Sequence, residues 1–362
     1  MVSQILLLLF LAIGGYGMFN ALSQTNRNPR FDNIWALFYI LLTITYLLSP
    51  KEVFGNSVEA MGRMTTFGQY KNICFVSLSF FAVYCFSKKG VATDKYMFYL
   101  SAALIVVAAL RYFYAIRVLQ QEYTDKFQNN AAYTIVAVIP SLPFIFKKRK
   151  FIASLLAIGG IALILYAAKR GAIVCLIAAL LTVTIYLLRR SRMALFKQIA
   201  IILVAIGVGA FMIYFTMQNE FLLDRIEQTQ EGNIGTREIA YSMLWNHWLN
   251  ADPFSKIFGS GLLQTVNIWG NSAHSDWLEL LTDNGLLGLF VYLLFYLYLF
   301  KYIKSMTDDG MLQLSTLLAA VVLLTKSMFS MGYDDFVNVP ILLAMGMCAG
   351  QNESNKKLAL QR

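Results

Sequence analysis

Residues 233–288 read NIGTREIAYSMLWNHWLNADPFSKIFGSGLLQTVNIWGNSAHSDWLELLTDNGLLG, the one long interval that is neither an apolar block nor a short connector. It holds both histidines, His247 and His274, together with Trp245, Trp248, Trp269 and Trp277. Outside it the chain is overwhelmingly apolar. Of 362 residues, 58% are hydrophobic and 14% charged, against about 25% charged in a soluble domain. That balance excludes an ordinary soluble protein and predicts an all-α polytopic integral membrane protein.

Windows long enough to cross a bilayer number about eleven. They fall near residues 3–22, 33–49, 72–87, 96–116, 131–146, 151–168, 171–188, 195–217, 286–303, 311–330 and 337–350. Three blocks follow: a bundle over 1–217, a loop over 218–285, and closing spans with a tail over 286–362. The run from Ile5 has neither a basic flank nor a small-residue cleavage site, so it reads as a retained span. Cys74, Cys85, Cys175 and Cys348 sit in apolar runs without metal spacing and read as small core residues, with no disulfide expected.

Charge sets the orientation. Alternate connectors carry Arg27 and Arg30; Lys88, Lys89 and Lys95; Lys147 to Lys150; Arg189, Arg190, Arg192 and Lys197; Lys301 and Lys304; and Lys356, Lys357 and Arg362. These are eighteen of the thirty basic residues, set against five acids. By the positive-inside rule that face is cytoplasmic. The formal charge of +10 is then a topology signal, and no nucleic-acid partner is expected. The amino terminus and the 218–285 loop fall outside, the tail inside.

Two short helices are expected in the loop. The first opens at Gly235-Thr236 with Thr236 as N-cap, aligns Arg237, Tyr241, Leu244 and Trp248, and ends at Asp252-Pro253. The second starts near His274. It stacks His274, Trp277, Leu278 and Leu281 on one face, puts Asp276, Glu279 and Asp283 on the other, and stops at Asn284-Gly285. A glycine-rich turn, Phe258 to Leu262, lies between them.

Few basic residues accompany this outer face. Arg237, in a first helical turn, is a natural anion seat, although such arginines also occupy solvated faces. Arg111 and Lys326 lie toward the outer ends of their spans; snorkelling or pairing with Asp334 or Asp335 are the competing readings. Lys169 and Arg170 sit at a turn so tight that both side chains reach the outer rim, with Gly171 allowing close approach.

Arg170, Arg237 and His274 together make a site: two guanidinium forks matched to a diphosphate and one imidazole that can accept a proton from an attacking hydroxyl. An outward location excludes nucleotide-sugar donors and favours a lipid-linked diphosphoryl sugar. Arg111, Lys169, Ser272 and Ser275 are candidates to line it. Tyr241, Trp248 and Trp277 are placed to stack on sugar rings, a role that competes with interfacial anchoring. No ligand spacing calls for a metal, and Asp334-Asp335 is either a weak divalent-ion candidate or a lysine partner.

The order Lys169-Arg170-Gly171, Gly235-Thr236-Arg237, Trp248, Pro253, Gly259-Ser-Gly261, Ala273-His274-Ser275-Asp276-Trp277-Leu278, Gly285 and Gly288 resembles the O-antigen polymerase and ligase superfamily, over roughly residues 160–295. The resemblance implies a GT-C-like glycosyltransferase of the bacterial inner membrane, working at the periplasmic face on undecaprenyl-diphosphate-linked oligosaccharide without cofactor or obligatory metal. It implies membrane lipids, a chain-length regulator and a flippase as partners. The family's two arginines fall on Arg170 and Arg237 and its histidine on His274. Lys169 and Ser275 depart from the residues usual beside them. The modest loop favours a repeat-unit polymerase, with the ligase as alternative and a lipid-linked glycan flippase as the reading from another class.

Overall fold

The computed structural model describes residues 2–23, 30–49, 65–91, 94–122, 130–190, 195–218, 223, 227, 236–306 and 310–360. Among these the regular structure is helical. The first nine α-helices are α1 Val2–Leu22, α2 Phe31–Leu48, α3 Thr66–Lys88, α4 Asp94–Glu122, α5 Ala132–Val138, α6 Leu142–Lys148, α7 Lys150–Tyr166, α8 Arg170–Arg190 and α9 Leu195–Met217. The rest are α10 Thr236–Asn250, α11 Pro253–Phe258, α12 Gln264–Trp269, α13 Asp276–Asp283, α14 Gly285–Lys304, α15 Gly310–Phe329 and α16 Val339–Leu360. Helix occupies every one of the eleven predicted segments. Seven of the helices, α2, α3, α4, α8, α9, α14 and α15, are long and apolar enough to cross a membrane, and α1 and α7 contribute shorter apolar stretches.

The segment predicted as one span over 131–146 is interrupted. A 3₁₀ turn at Ile139–Ser141 separates α5 from α6, because Pro140 and Pro143 lack the N–H groups that a continuous helix needs. At the end of the chain, α16 carries the helix through Glu353, Lys356 and Lys357, residues expected in the tail.

The chain forms two compact units, each drawn from separated segments. One comprises residues 94–234 and 310–325, and thus α4 to α9 with most of α15. In it α5 packs on α4, α7 and α8. Polar ties join its helices: Tyr112 Oη donates to Leu163 O (2.6 Å), and Tyr186 Oη to Gly310 O (2.7 Å). Ser315 Oγ donates to Pro140 O.

The other unit comprises residues 1–93, 235–309 and 326–362. Its centre is α3, gripped by α1 on one side and α16 on the other. Glycines allow that approach. A methyl group on Gly346 of α16 would lie 2.4 Å from Phe80 O, and one on Gly17 of α1 would lie 2.3 Å from Phe81 O. Such small-residue contacts let helix backbones touch where lipid supplies no hydrophobic drive for helix association. Helices α2 and α14 complete the bundle with aromatic packing, Trp35 against Phe295 (4.6 Å between centroids) and Phe38 against Tyr292 (5.0 Å).

Each end of this bundle carries its own polar layer. At one end Glu353 of α16 pairs with Arg30 and with Lys88 (3.0 Å), while Arg30 also meets Asp32 (3.2 Å) and donates to Tyr84 Oη (3.0 Å). The start of α2, the end of α3 and the later turns of α16 therefore share a level. At the other end Leu262 N donates to Ser49 Oγ (2.6 Å), Asn284 Nδ2 to Thr45 Oγ1 (2.7 Å), and Gln69 Nε2 to Asp334. The 236–284 segment thus closes the bundle end opposite Glu353.

The glycine contacts predict a position-specific cost. Gly346→Leu overpacks the α3–α16 contact, and a loss of about 1–3 kcal/mol is expected, read as a lower midpoint of thermal unfolding in detergent. Gly15→Leu, where a Cβ would meet nothing within 4 Å, should leave the midpoint unchanged; equal shifts for both would refute the packing account.

Candidate functional site

Helix α10 begins at Thr236 itself, so this residue is the first of the helix and not its cap. Gly235, predicted beside it, lies outside the described residues. The expected face is present: Ala240 and Leu244 are buried, with half-buried Arg237, Tyr241 and Trp248 flanking them. It packs on α12 and α13.

Asp252-Pro253 ends α10 as expected and also starts α11, which was not anticipated. The Asp252 carboxylate caps it, accepting from the N–H groups of Phe254 (2.9 Å) and Ser255 (3.1 Å), with Pro253 in the first turn. Trp248 Nε1 donates to Lys256 O (3.3 Å) and ties the two helices together. Its indole N–H thus serves the fold at the position proposed for sugar stacking. The glycine-rich turn lies against the end of α13, with Ser260 N donating to Thr282 O and Gly261 N to Asp283 O (both 3.0 Å). Gly259, at φ +82°, has no room for a side chain: a Cβ would lie 2.2 Å from Asp283 O.

Helix α13 starts at Asp276, two residues later than expected. His274 therefore precedes the helix and does not stack with Trp277, Leu278 and Leu281. It sits in the left-handed region at φ +55°, a conformation that non-glycine residues hold only when neighbours enforce it. The enforcement is visible: His274 N donates to Glu279 Oε1 (3.2 Å). Leu263, at φ +67°, is held the same way, its N–H donating to Asp283 Oδ2 (2.9 Å), while Thr265 donates from N and Oγ1 to Oδ1 (3.0 and 3.1 Å). Asp276 accepts from Gly332 N (2.7 Å) and Tyr292 Oη (2.6 Å).

The acidic face of α13 is thus buried: Asp276, Glu279 and Asp283 are 0%, 4% and 4% exposed. Burial pushes the Asp276 and Asp283 carboxyls up to about 7, against the donors that favour their ionised forms. Glu279 lies well above the usual carboxylate range, through burial first and then the neighbouring Asp334. Asp334 is raised likewise, by burial and then by Asp276.

Around this cluster the structure gathers part of the expected site. Tyr241 lies within the electrostatic reach of both Arg237 and Glu279: burial pushes its phenol up, Arg237 opposes and Glu279 adds. Arg237 donates from Nη1 to Phe329 O at the end of α15 (3.2 Å). Ser272 and Ser275 are buried beside His274, and Ser275 O accepts from Glu279 N (3.0 Å). Trp277 packs its ring on Tyr292 (5.5 Å) and Tyr296 (6.2 Å). Arg237, Tyr241, Trp248, Ser272, His274, Ser275 and Trp277 accordingly belong to one compact unit.

Arg111, Lys169 and Arg170 belong to the other. Arg111 is exposed on α4, Lys169 and Arg170 are half-buried, and Arg170 opens α8. The residue that takes a left-handed conformation in their turn is Ala168, at φ +50°, whereas Gly171 is the second residue of α8. Lys326, wholly buried, resolves to pairing: its Nζ donates to Asp335 Oδ2 and Asn338 Oδ1 (both 2.7 Å). Among the described residues no group of three or more His, Cys, Asp or Glu side chains is placed to hold a metal ion.

Glu279, Asp276 and Asp283 were not foreseen as parts of the site, and Asp334, expected as a lysine partner or a divalent-ion candidate, joins them and accepts from Gln69 while Lys326 takes Asp335. The available signal was the i, i+3, i+7 spacing of the three α13 acids, which makes one helical stripe whether it faces water or protein. Packing against Leu263, His274 and Gly332 decides that it faces inward.

The bundle and its helical end segment define a multi-pass helical membrane protein. Residues 152–293, which run from α7 into α14 and include Arg170, Arg237 and His274, match the family model Wzy_C, described as O-antigen ligase. The match bears out the resemblance to the O-antigen polymerase and ligase superfamily. No curated protein matches the chain.

Because the folded state raises the Asp276 and Asp283 pKa values above their unfolded values, the folded protein binds more protons between about pH 4 and 7. The stability that protonation provides is complete below the unfolded values and lost as pH rises through about 7. The unfolding midpoint is therefore expected to fall from pH 4 to 7.5, and to fall less steeply in Asp276→Asn, which keeps an acceptor for Gly332 N. Identical slopes in both proteins would refute a proton held at Asp276.

Proposed function

We propose that the protein polymerises lipid-diphosphate-linked oligosaccharide repeat units at the outer face of the membrane. The observation that carries this reading is the gathering of His274, whose backbone N–H donates to buried Glu279, with Tyr241, which lies within the electrostatic reach of both Arg237 and Glu279, inside the segment that matches the family model. The segment closes one end of a helical bundle whose opposite end carries Arg30, Lys88 and Glu353. In this reading the basic connectors are cytoplasmic and His274 lies outside.

In this reading His274 accepts the proton of the acceptor hydroxyl as it attacks the anomeric carbon, with inversion. Arg237 holds the donor diphosphate and stabilises charge on the leaving group, a role that the family resemblance also assigns to Arg170, which belongs to the other unit. Tyr241, Ser272 and Ser275 line the approach to the imidazole, and Arg111, Lys169, Trp248 and Trp277 complete the proposed substrate contacts. The chemistry needs no nucleotide sugar, and we propose none and no metal. The compact loop, four short helices over residues 236–283, supports polymerase. The description of the matching family favours the ligase as the second reading.

Incubation of purified protein with one lipid-diphosphate-linked repeat unit distinguishes the two. A ladder of multiples is expected, and His274→Ala or Arg237→Ala should lower its yield at least about 100-fold while the protein stays folded. A single product formed only on addition of lipid A-core would replace the polymerase by the ligase. Ladders of ordinary length from either variant would overturn the site.

A further inference from the structure

Within the unit built from α4 to α9 and α15 lies an apolar groove of about 460 Å³, within the range of small-ligand sites. Ile105, Ile135, Leu142, Phe146, Leu180 and Leu314 are among its walls. On α7 it runs from Ala153 to Ile164, about 16 Å at 1.5 Å per helical residue. Gly159 and Gly160 form part of the α7 wall, and a Cβ on Gly159 would meet nothing within 4 Å. The space beside Gly159 is therefore open, while at Gly160 a Cβ would touch Ile135 Cγ2 at 3.6 Å.

One end of the groove is strongly basic. Phe146 and Pro143 of α6 and Ala153 and Ser154 of α7 line it, and the chain between them reads Lys147-Lys148-Arg149-Lys150, all four exposed. Leu187 of α8 lines the same end, two residues before exposed Arg189. Phe151, 75% exposed, follows the basic run. Positive-inside charge accounts for basic residues at a helix end. It does not account for their placement at the mouth of an apolar groove.

We propose that this groove binds one anionic membrane lipid, its hydrocarbon chain between α5, α7 and α8 and its negatively charged headgroup on Lys147, Lys148, Arg149 and Lys150. Charge complementarity selects the occupant: each basic residue near an anionic headgroup adds attraction, and a zwitterionic lipid gains little from four of them. The site is independent of the glycosyl-transfer reading. It uses none of the residues proposed for that chemistry.

The test is photo-crosslinking of the full-length protein in nanodiscs, with phosphatidylglycerol or phosphatidylcholine carrying the same diazirine-bearing acyl chain. Mapped by peptide mass spectrometry, phosphatidylglycerol should label groove residues at least about fivefold more than phosphatidylcholine, with the preference shrinking as salt rises. Replacing all four basic residues by glutamine should remove the preference, and exchanging Lys for Arg and Arg for Lys should retain it. Gly159→Phe, which projects into the groove, should lower labelling there for both lipids while labelling of α9 persists. Equal labelling by the two lipids in the unaltered protein reduces the groove to ordinary lipid-facing surface and overturns the proposal. A preference that survives the glutamine variant overturns it as well.

Discussion

Three buried carboxylates on one short helix organise the end of the bundle where the candidate site lies. Asp276, Glu279 and Asp283 accept from the backbone N–H groups of Gly332, His274 and Leu263 respectively. Two of those residues, His274 and Leu263, are held in left-handed conformations that only an enforcing partner sustains. Burying acids is costly unless they are hydrogen-bonded or protonated, and here both remedies operate. A helix of eight residues thereby fixes three separate strands of irregular chain, at ranges of five to fifty-six residues. The position of His274 is set by Glu279 more directly than by any regular element of its own.

This arrangement suits a site assembled from loops over a membrane bundle. Loops that carry function need a rigid scaffold beneath them, and α13 leads directly into α14 across a break at Asn284 and Gly285, the latter at φ +65°. Asn284 is tied to Thr45 and Leu262 to Ser49, so the loop segment is joined to α2 as well, while Gln69 of α3 holds Asp334 of the connector between α15 and α16. The same bundle is clamped at its far end by Glu353, Arg30 and Lys88. Between the two polar layers, glycine contacts and stacked aromatic rings hold the helices. Water is scarce at that depth, which confines ionic ties to the ends.

The resemblance to the O-antigen polymerase and ligase superfamily rests on single residues spread over separate elements, and the structure explains several of them without chemistry. Gly259 is required because α13's last carbonyl occupies the place of a side chain. Pro253 starts α11 and Trp248 anchors it. Arg237 and His274 are different in kind. Neither caps a helix nor permits a close backbone approach; His274 donates its N–H to buried Glu279, and Arg237 acts on Tyr241, which Glu279 also reaches.

Composition and periodicity determined that the chain is a helical membrane protein, where most of its long apolar helices run, that 233–288 is the exceptional interval, and which face of α10 is inward. These are local properties: hydropathy is a sum over consecutive residues, and an amphipathic face follows from spacing alone. Only the tertiary structure decided that the acidic stripe of α13 is buried, that His274 stands outside the helix, that Lys326 pairs with Asp335, and that Pro140 and Pro143 break a predicted span. An i, i+3, i+7 run of acids has the same pattern facing solvent or core. Its environment is supplied by residues such as Leu263 and Gly332, which are distant in sequence and brought near only by the fold.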